Sequence, residues 1–88
     1  MNDVFQLRGE QLEWREIEGE IVALDGRAAE YLAVNRTGAV LWPGLLAGST
    51  REELVARLTE SFDVDEASAE RDVDAFLATL RERGLLEQ

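Results

Sequence analysis

The sequence has no cysteine, no histidine and no lysine, and only one proline and one methionine among its 88 residues. Each absence closes a class of chemistry. Without cysteine there are no disulfides and no thiolate metal sites. Without histidine the usual general base and the commonest metal ligand are missing. Metal sites built from carboxylates alone need oxygen ligands clustered on a shaped loop, and no such loop is visible. Long apolar runs are absent too: no stretch approaches the roughly 20 residues of a membrane span. Met1-Asn2-Asp3-Val4-Phe5 lacks the basic and apolar regions of a signal peptide. A cytoplasmic protein is expected.

What the chain does carry is negative charge. Its 19 acidic residues outnumber nine cations, all arginine, for a formal net charge of -10. Such a surface repels phosphate backbones and anionic lipid headgroups, which argues against nucleic acid and membranes as partners. It keeps a small chain soluble and it also suits a basic partner. At 45% hydrophobic residues, a chain of 88 residues can build one core without covalent staples. One domain over residues 1–88 is expected. Residues 1–10 show no clear period and are expected to form a flexible arm, although Leu7 is able to pack on the sheet.

The hydrophobic period changes near the middle of the chain. Leu12, Trp14 and Glu16 alternate with Glu13, Arg15 and Ile17 as a first strand. Glu18-Gly19 is a turn signal, and Ile21-Val22-Ala23-Leu24 reads as a middle strand. Asp25-Gly26 is a stronger hairpin signal, because Gly tolerates positive φ. Glu30-Tyr31-Leu32-Ala33-Val34 is the third strand. Asn35 can then cap a first helix with the apolar face Val40, Leu41, Leu45 and Leu46. Pro43 predicts a kink in that helix, or a later start. Thr50-Arg51-Glu52-Glu53 is a capping box, followed by the stripe Leu54, Val55, Leu58 and Phe62. Glu53 and Arg57 have the spacing of an ion pair. Asp65 caps a third helix running to about Arg83, with Ala69, Val73, Phe76 and Leu80 on one stripe and Leu77 on its shoulder. Gly84 stops it, and Leu85-Leu86 fold back on the core. The expected class is α+β: a winged helix-turn-helix with a three-stranded antiparallel sheet followed by three helices.

Catalytic constellations are nearly absent. Ser49, Ser61 and Ser68 have no histidine base. The carboxylate pairs Glu52/Glu53 and Asp72/Asp74 read as solvated helix faces. No glycine-rich phosphate loop occurs. No enzyme activity, catalytic residue, metal or cofactor is expected. The edge strand is more informative. In a simple meander the strand 30–34 leaves one side open, and its interior carries none of the Lys, Pro or bulge devices that blunt natural edges. Such an edge suits strand addition by an extended peptide. One margin of the third helix, near Asp72, Phe76 and Thr79, would wall the groove beside it, with Asp72 offering a carboxylate to the guest.

These residues carry a resemblance. Tyr31-Leu32-Ala33-Val34-Asn35-Arg36-Thr37-Gly38-Ala39-Val40-Leu41-Trp42 resembles the Tyr-(Phe/Leu)-x-(Leu/Val)-Asn-x-Thr-Gly-x-x-(Ile/Leu)-Trp signature of the PqqD-like family. Asp72-Val73-Asp74-Ala75-Phe76-Leu77, continued through Leu80 to Gly84-Leu85-Leu86, matches the ending. The likeness spans roughly Gln11 to Leu86. It implies a winged helix-turn-helix recognition element that binds the leader segment of a ribosomally made precursor peptide and performs no chemistry itself. The leader would add to Glu30, Tyr31, Leu32, Ala33 and Val34. The helical wall would be Asp72, Val73, Phe76 and their neighbours Ala69, Leu77, Thr79, Leu80 and Arg83. The resemblance further implies presentation to a leader peptidase or another modifying enzyme. A lasso-peptide pathway is favoured over a radical-SAM partner as in PQQ-type cofactor synthesis. Pro43 departs from the family pattern, which has a polar helix former there.

Three other readings follow from the residues. A DNA-binding regulator fits the helix order but not helices dominated by carboxylates. A structural subunit would pair its open edge with a second copy across a two-fold axis; a monomer or weak dimer is the expected state. An enzyme is the least supported.

Overall fold

The computed structural model describes residues 3–26 and 29–87. Its elements run β1 (Val4–Phe5), a 3-10 turn (Gly9–Gln11), β2 (Leu12–Ile17), β3 (Glu20–Asp25), β4 (Glu30–Val34), α1 (Arg36–Ala47), β5 (Ser49–Thr50), α2 (Arg51–Ser61) and α3 (Glu66–Glu82). The α+β class is as expected: three antiparallel strands in the order β2-β3-β4, then three helices.

The first hairpin sets the register of the sheet. Glu18 and Gly19 both have positive φ (53° and 82°) between the paired Ile17 and Glu20. Positive φ at both central residues is the mark of the turn whose twist matches its strands. Register then follows residue by residue: Trp14 faces Ala23, which faces Leu32, and Glu16 faces Ile21, which faces Val34. Leu12, Ile21, Ala23, Leu32 and Val34 are buried beneath the helices. Their alternates Glu13, Arg15, Ile17, Val22, Tyr31 and Ala33 are exposed on the outer face. Asp25 pairs with Glu30 at the far end of the second hairpin, whose residues 27 and 28 lie outside those described.

The helices start where their caps predict. Asn35 accepts from the Gly38 N–H at 3.0 Å, Thr50 from Glu53 at 3.2 Å and Asp65 from Ser68 at 2.9 Å. α1 therefore begins directly after Asn35 rather than later, and it runs through Pro43 to Ala47. Pro43 sits on an exposed position. The Glu53 carboxylate accepts from the Thr50 N–H at 2.9 Å, completing the capping box, so it turns to the cap and not to the ion pair expected with Arg57. Accepting these hydrogen bonds holds the Glu53 carboxyl below the usual carboxylate range, with Arg57 contributing least. The core is one cluster in which Trp42, Leu41, Leu45, Leu54, Leu58, Val73 and Leu80 are wholly enclosed.

The N-terminal segment departs from the expected arm. Val4 and Phe5 pair with Thr50 and Ser49. Leu7 is only 2% exposed and bridges to Leu86. Its N–H donates to the Leu45 carbonyl and that of Arg8 to the Leu85 carbonyl, both at 2.8 Å. The physical reason is the C-terminal tail: Leu85 and Leu86 fold back as expected, and their backbone needs a partner strand. Residues 6–8 supply it, while Val4 and Phe5 pair with β5.

Candidate functional site

Among the described residues the sheet has two edge strands, β2 and β4; the edge beside α3 is β4, and its parity follows from the first turn. In a two-residue hairpin the closing pair, here Ile17 and Glu20, exchanges both of its main-chain hydrogen bonds, and such pairs alternate along an antiparallel ladder. Glu20, Val22 and Leu24 therefore bond toward β2. Ile21, Ala23 and Asp25 bond toward β4, where they meet Val34, Leu32 and Glu30. The main-chain groups of Tyr31 and Ala33 are left pointing away from the sheet. An independent contact agrees: the Tyr31 carbonyl accepts from Arg83 Nη1, on the side of α3, at 3.5 Å. The same Nη1 lies 3.5 Å from a Glu30 carboxylate oxygen.

α3 forms the wall beside this edge. At about 100° per residue, Asp72, Phe76, Thr79 and Arg83 fall within about 60° of one another on the helix surface. Phe76 anchors the stripe near β4. A Cβ placed on Gly38 would lie 2.6 Å from Val34 Cγ1 and 3.1 Å from the Phe76 ring, so α1, β4 and α3 converge where only glycine fits. Phe76 is half-buried there, while Asp72 and Thr79 are exposed. The Thr79 hydroxyl donates to the Ala75 carbonyl at 3.1 Å. At the other end Leu12, Leu32, Leu85, Glu30, Glu82 and Arg83, with Asp25, line a cleft of ≈ 190 Å³. The edge thus runs from an apolar step at Phe76 to an ion pair at Arg83 and Glu30.

The residues expected at the site divide into two groups. Glu30, Tyr31, Ala33, Asp72, Thr79 and Arg83 are exposed, and Phe76 partly so. Leu32, Val34, Ala69, Val73, Leu77 and Leu80 lie in the core beneath them. The buried group shapes the groove from below, because β4 alternates and α3 turns its core stripe inward. Arg83 as a contact to the strand's own carbonyl carries no local sequence signal, since it bridges 52 positions.

The opposite margin of α3 is tied to α2. Arg51, at the start of α2, donates to both Asp74 carboxylate oxygens at 2.8 and 2.9 Å and lies 3.4 Å from Glu70. The Arg51 guanidinium holds the Asp74 carboxyl below its usual range, and Asp74 in turn pushes Arg51 upward. Among the described residues no group of His, Cys, Asp or Glu is placed to hold a metal ion, and no helix is long and apolar enough to cross a membrane.

Comparison with known proteins supplies relatives of this fold. No curated protein sequence matches the chain. Among solved structures, TbiB1 in complex with the TbiA(beta) leader peptide superposes with a TM-score of 0.81 at 28% identity, covering 93% of this chain and 94% of that one. A lasso peptide synthetase B1 complexed with the leader peptide gives 0.80 at 32% identity, covering 96% and 98%. The family model described as coenzyme PQQ synthesis protein D (PqqD) matches residues 20–86. Over that span the chain belongs to the PqqD family.

Proposed function

We propose that this chain is a leader-peptide recognition element of lasso-peptide biosynthesis. It takes up the leader of a precursor peptide as an added strand on β4 and presents the rest to a leader peptidase or another modifying enzyme. The observation that carries this reading is the open edge itself. Tyr31 and Ala33 turn their main-chain groups outward beside α3, in a fold shared over nearly its whole length with two proteins solved with leader peptides. Those relatives favour the lasso setting over a radical-SAM partner.

Strand addition draws affinity from main-chain hydrogen bonds and specificity from the pockets that alternate side chains meet. Here Phe76 offers an apolar step, and Asp72 a carboxylate one turn before it. Arg83 reaches the Tyr31 carbonyl only at 3.5 Å, so a guest N–H can displace it. Its guanidinium then becomes available to a carboxylate or carbonyl of the guest. No catalytic residue is needed: holding the substrate beside an enzyme raises its effective concentration and speeds modification.

The test is a titration with fluorescently labelled leader peptide, comparing wild type with Ala33→Pro. Proline at an edge position whose N–H faces solvent leaves the ladder intact but removes the donor a guest strand needs. Saturable binding by the wild type, lost in a folded Ala33→Pro variant, is the expected result. Equal binding by both would refute strand addition on β4.

A further inference from the structure

The edge beside β4 leaves the α2–α3 side of the molecule unused. There a groove of ≈ 520 Å³ runs between the two helices. Val55 and Ala56 of α2 and Val64, just before α3, give it apolar surface, while Glu52, Glu66 and Glu70 stand along it. Glu52, Ala56 and Glu66 are exposed, and Val64 is 38% exposed. Among the described lining residues the one cation, Arg51, is already committed to Asp74 and Glu70. The groove is therefore mixed, with apolar surface at Ala56 and Val64 over the buried Val55, and negative along its sides.

We propose that this groove docks a basic amphipathic helix of the enzyme to which the leader is presented. The proposal rests on the presenter role above for the identity of the partner, and on the groove's own chemistry for the kind of segment. A trough between helices with apolar surface at Ala56 and Val64 suits the apolar face of a helix laid along it. Carboxylates flanking such a trough suit arginine or lysine, whose aliphatic stems lie on apolar surface while the charged heads reach the rim. The overall charge of -10 would speed the approach of such a partner.

The position matters as much as the chemistry. On α3, Glu70 and Asp74 lie roughly 120–180° around the helix from the Asp72, Phe76, Thr79 and Arg83 stripe. A partner held in this groove leaves β4 free, so leader and enzyme can be bound together, which presentation requires.

The test uses a fluorescently labelled helical peptide of leucine, alanine and arginine, apolar on one face and basic on the other. It is titrated against the full chain, with and without saturating leader. Three variants are compared: Glu52→Arg/Glu66→Arg in the groove, Glu13→Arg/Glu20→Arg on the outer sheet face with the same charge change, and Val64→Ser, which keeps the charge. Thermal melts confirm folding. The expected result is saturable binding that persists with leader present. It should weaken about tenfold or more in the groove double variant, weaken in Val64→Ser, and change little in the sheet-face control. Equal weakening by the two double variants would show only bulk charge attraction and overturn the proposal. So would displacement of the probe by leader, or no saturable binding by the wild type. Leader affinity measured in the same samples separates the two proposals: its loss throughout would sink the recognition role, whereas a failed probe with intact leader binding would sink only the docking groove.

Discussion

The two margins of α3 are built from similar residues and treated in opposite ways. Beside α2, a guanidinium closes on one carboxylate with two short hydrogen bonds of 2.8 and 2.9 Å. Beside β4, another guanidinium reaches a carbonyl and a carboxylate at 3.5 Å, the outer limit of such contacts. Both are arginine-to-acid bridges from one helix to a neighbouring element. One fixes α3 to α2; the other rests lightly on an edge that, among the described residues, pairs with no strand beyond β3. The fold spends its good geometry where it needs rigidity and leaves loose contacts where a guest must enter.

The largest effects should come from reading β4 by parity. Leu32→Pro removes an N–H that bonds to β3 and disrupts a buried position, so the chain should lose its cooperative melt. Ala33→Pro, one residue on, should keep the melt and lose leader binding. Two neighbouring prolines with the same phenotype would break the comparison.

Gly38→Ala tests the convergence of α1, β4 and α3. Its Cβ would fall 2.6 Å from Val34, so something must shift. A loss of about 1–3 kcal/mol in denaturant unfolding is expected for such overpacking, with weakened leader binding because the shift moves Phe76. On the margin tied to α2, Asp74→Asn should lower stability at neutral pH and leave leader affinity unchanged. The sign with pH follows from the depressed Asp74 carboxyl. A group whose folded pKa lies below its unfolded value stabilises above the unfolded value, about 4 for a carboxylate, and loses that contribution as pH falls through the folded value. The gap between wild type and Asp74→Asn should therefore be present at pH 7 and shrink below about pH 4. A gap that is constant with pH would mean the pair contributes through packing alone.

The smallest effect is expected at the first turn, away from both margins. Glu18 holds a φ of 53°, and asparagine tolerates this region better. Glu18→Asn should recover part of the ~1–2 kcal/mol that a left-handed residue costs, read as a raised midpoint with leader binding intact.

Much of this architecture is legible in the sequence because its signals are local. Asn35, Thr50 and Asp65 each precede a helix and each accept the expected N–H. Ile21, Ala23, Leu32 and Val34 alternate, and the sheet buries them together. Pairings between distant segments carry no such signal. The β1–β5 pairing is two residues long, too short for a period, and joins Val4 to Thr50. Arg51 meets Asp74 across 23 positions. At the candidate site the sequence points to the right strand and helix but not to the division within them. That the main-chain groups of Tyr31 and Ala33, rather than those of Leu32 and Val34, open outward depends on the conformation of the turn at Glu18-Gly19. The Phe76 position is legible as part of an apolar stripe, but only the approach of Gly38 and Val34 sets it at the groove.

Amide hydrogen exchange, residue by residue, with and without leader peptide, tests the central claim most directly. Without leader, the Tyr31 and Ala33 amides should exchange rapidly while Leu32 and Val34 are protected by β3. Saturating leader should slow Tyr31 and Ala33 strongly and change Leu32 and Val34 little. Leader that binds tightly yet leaves the Tyr31 and Ala33 amides as fast as before would contradict strand addition on β4.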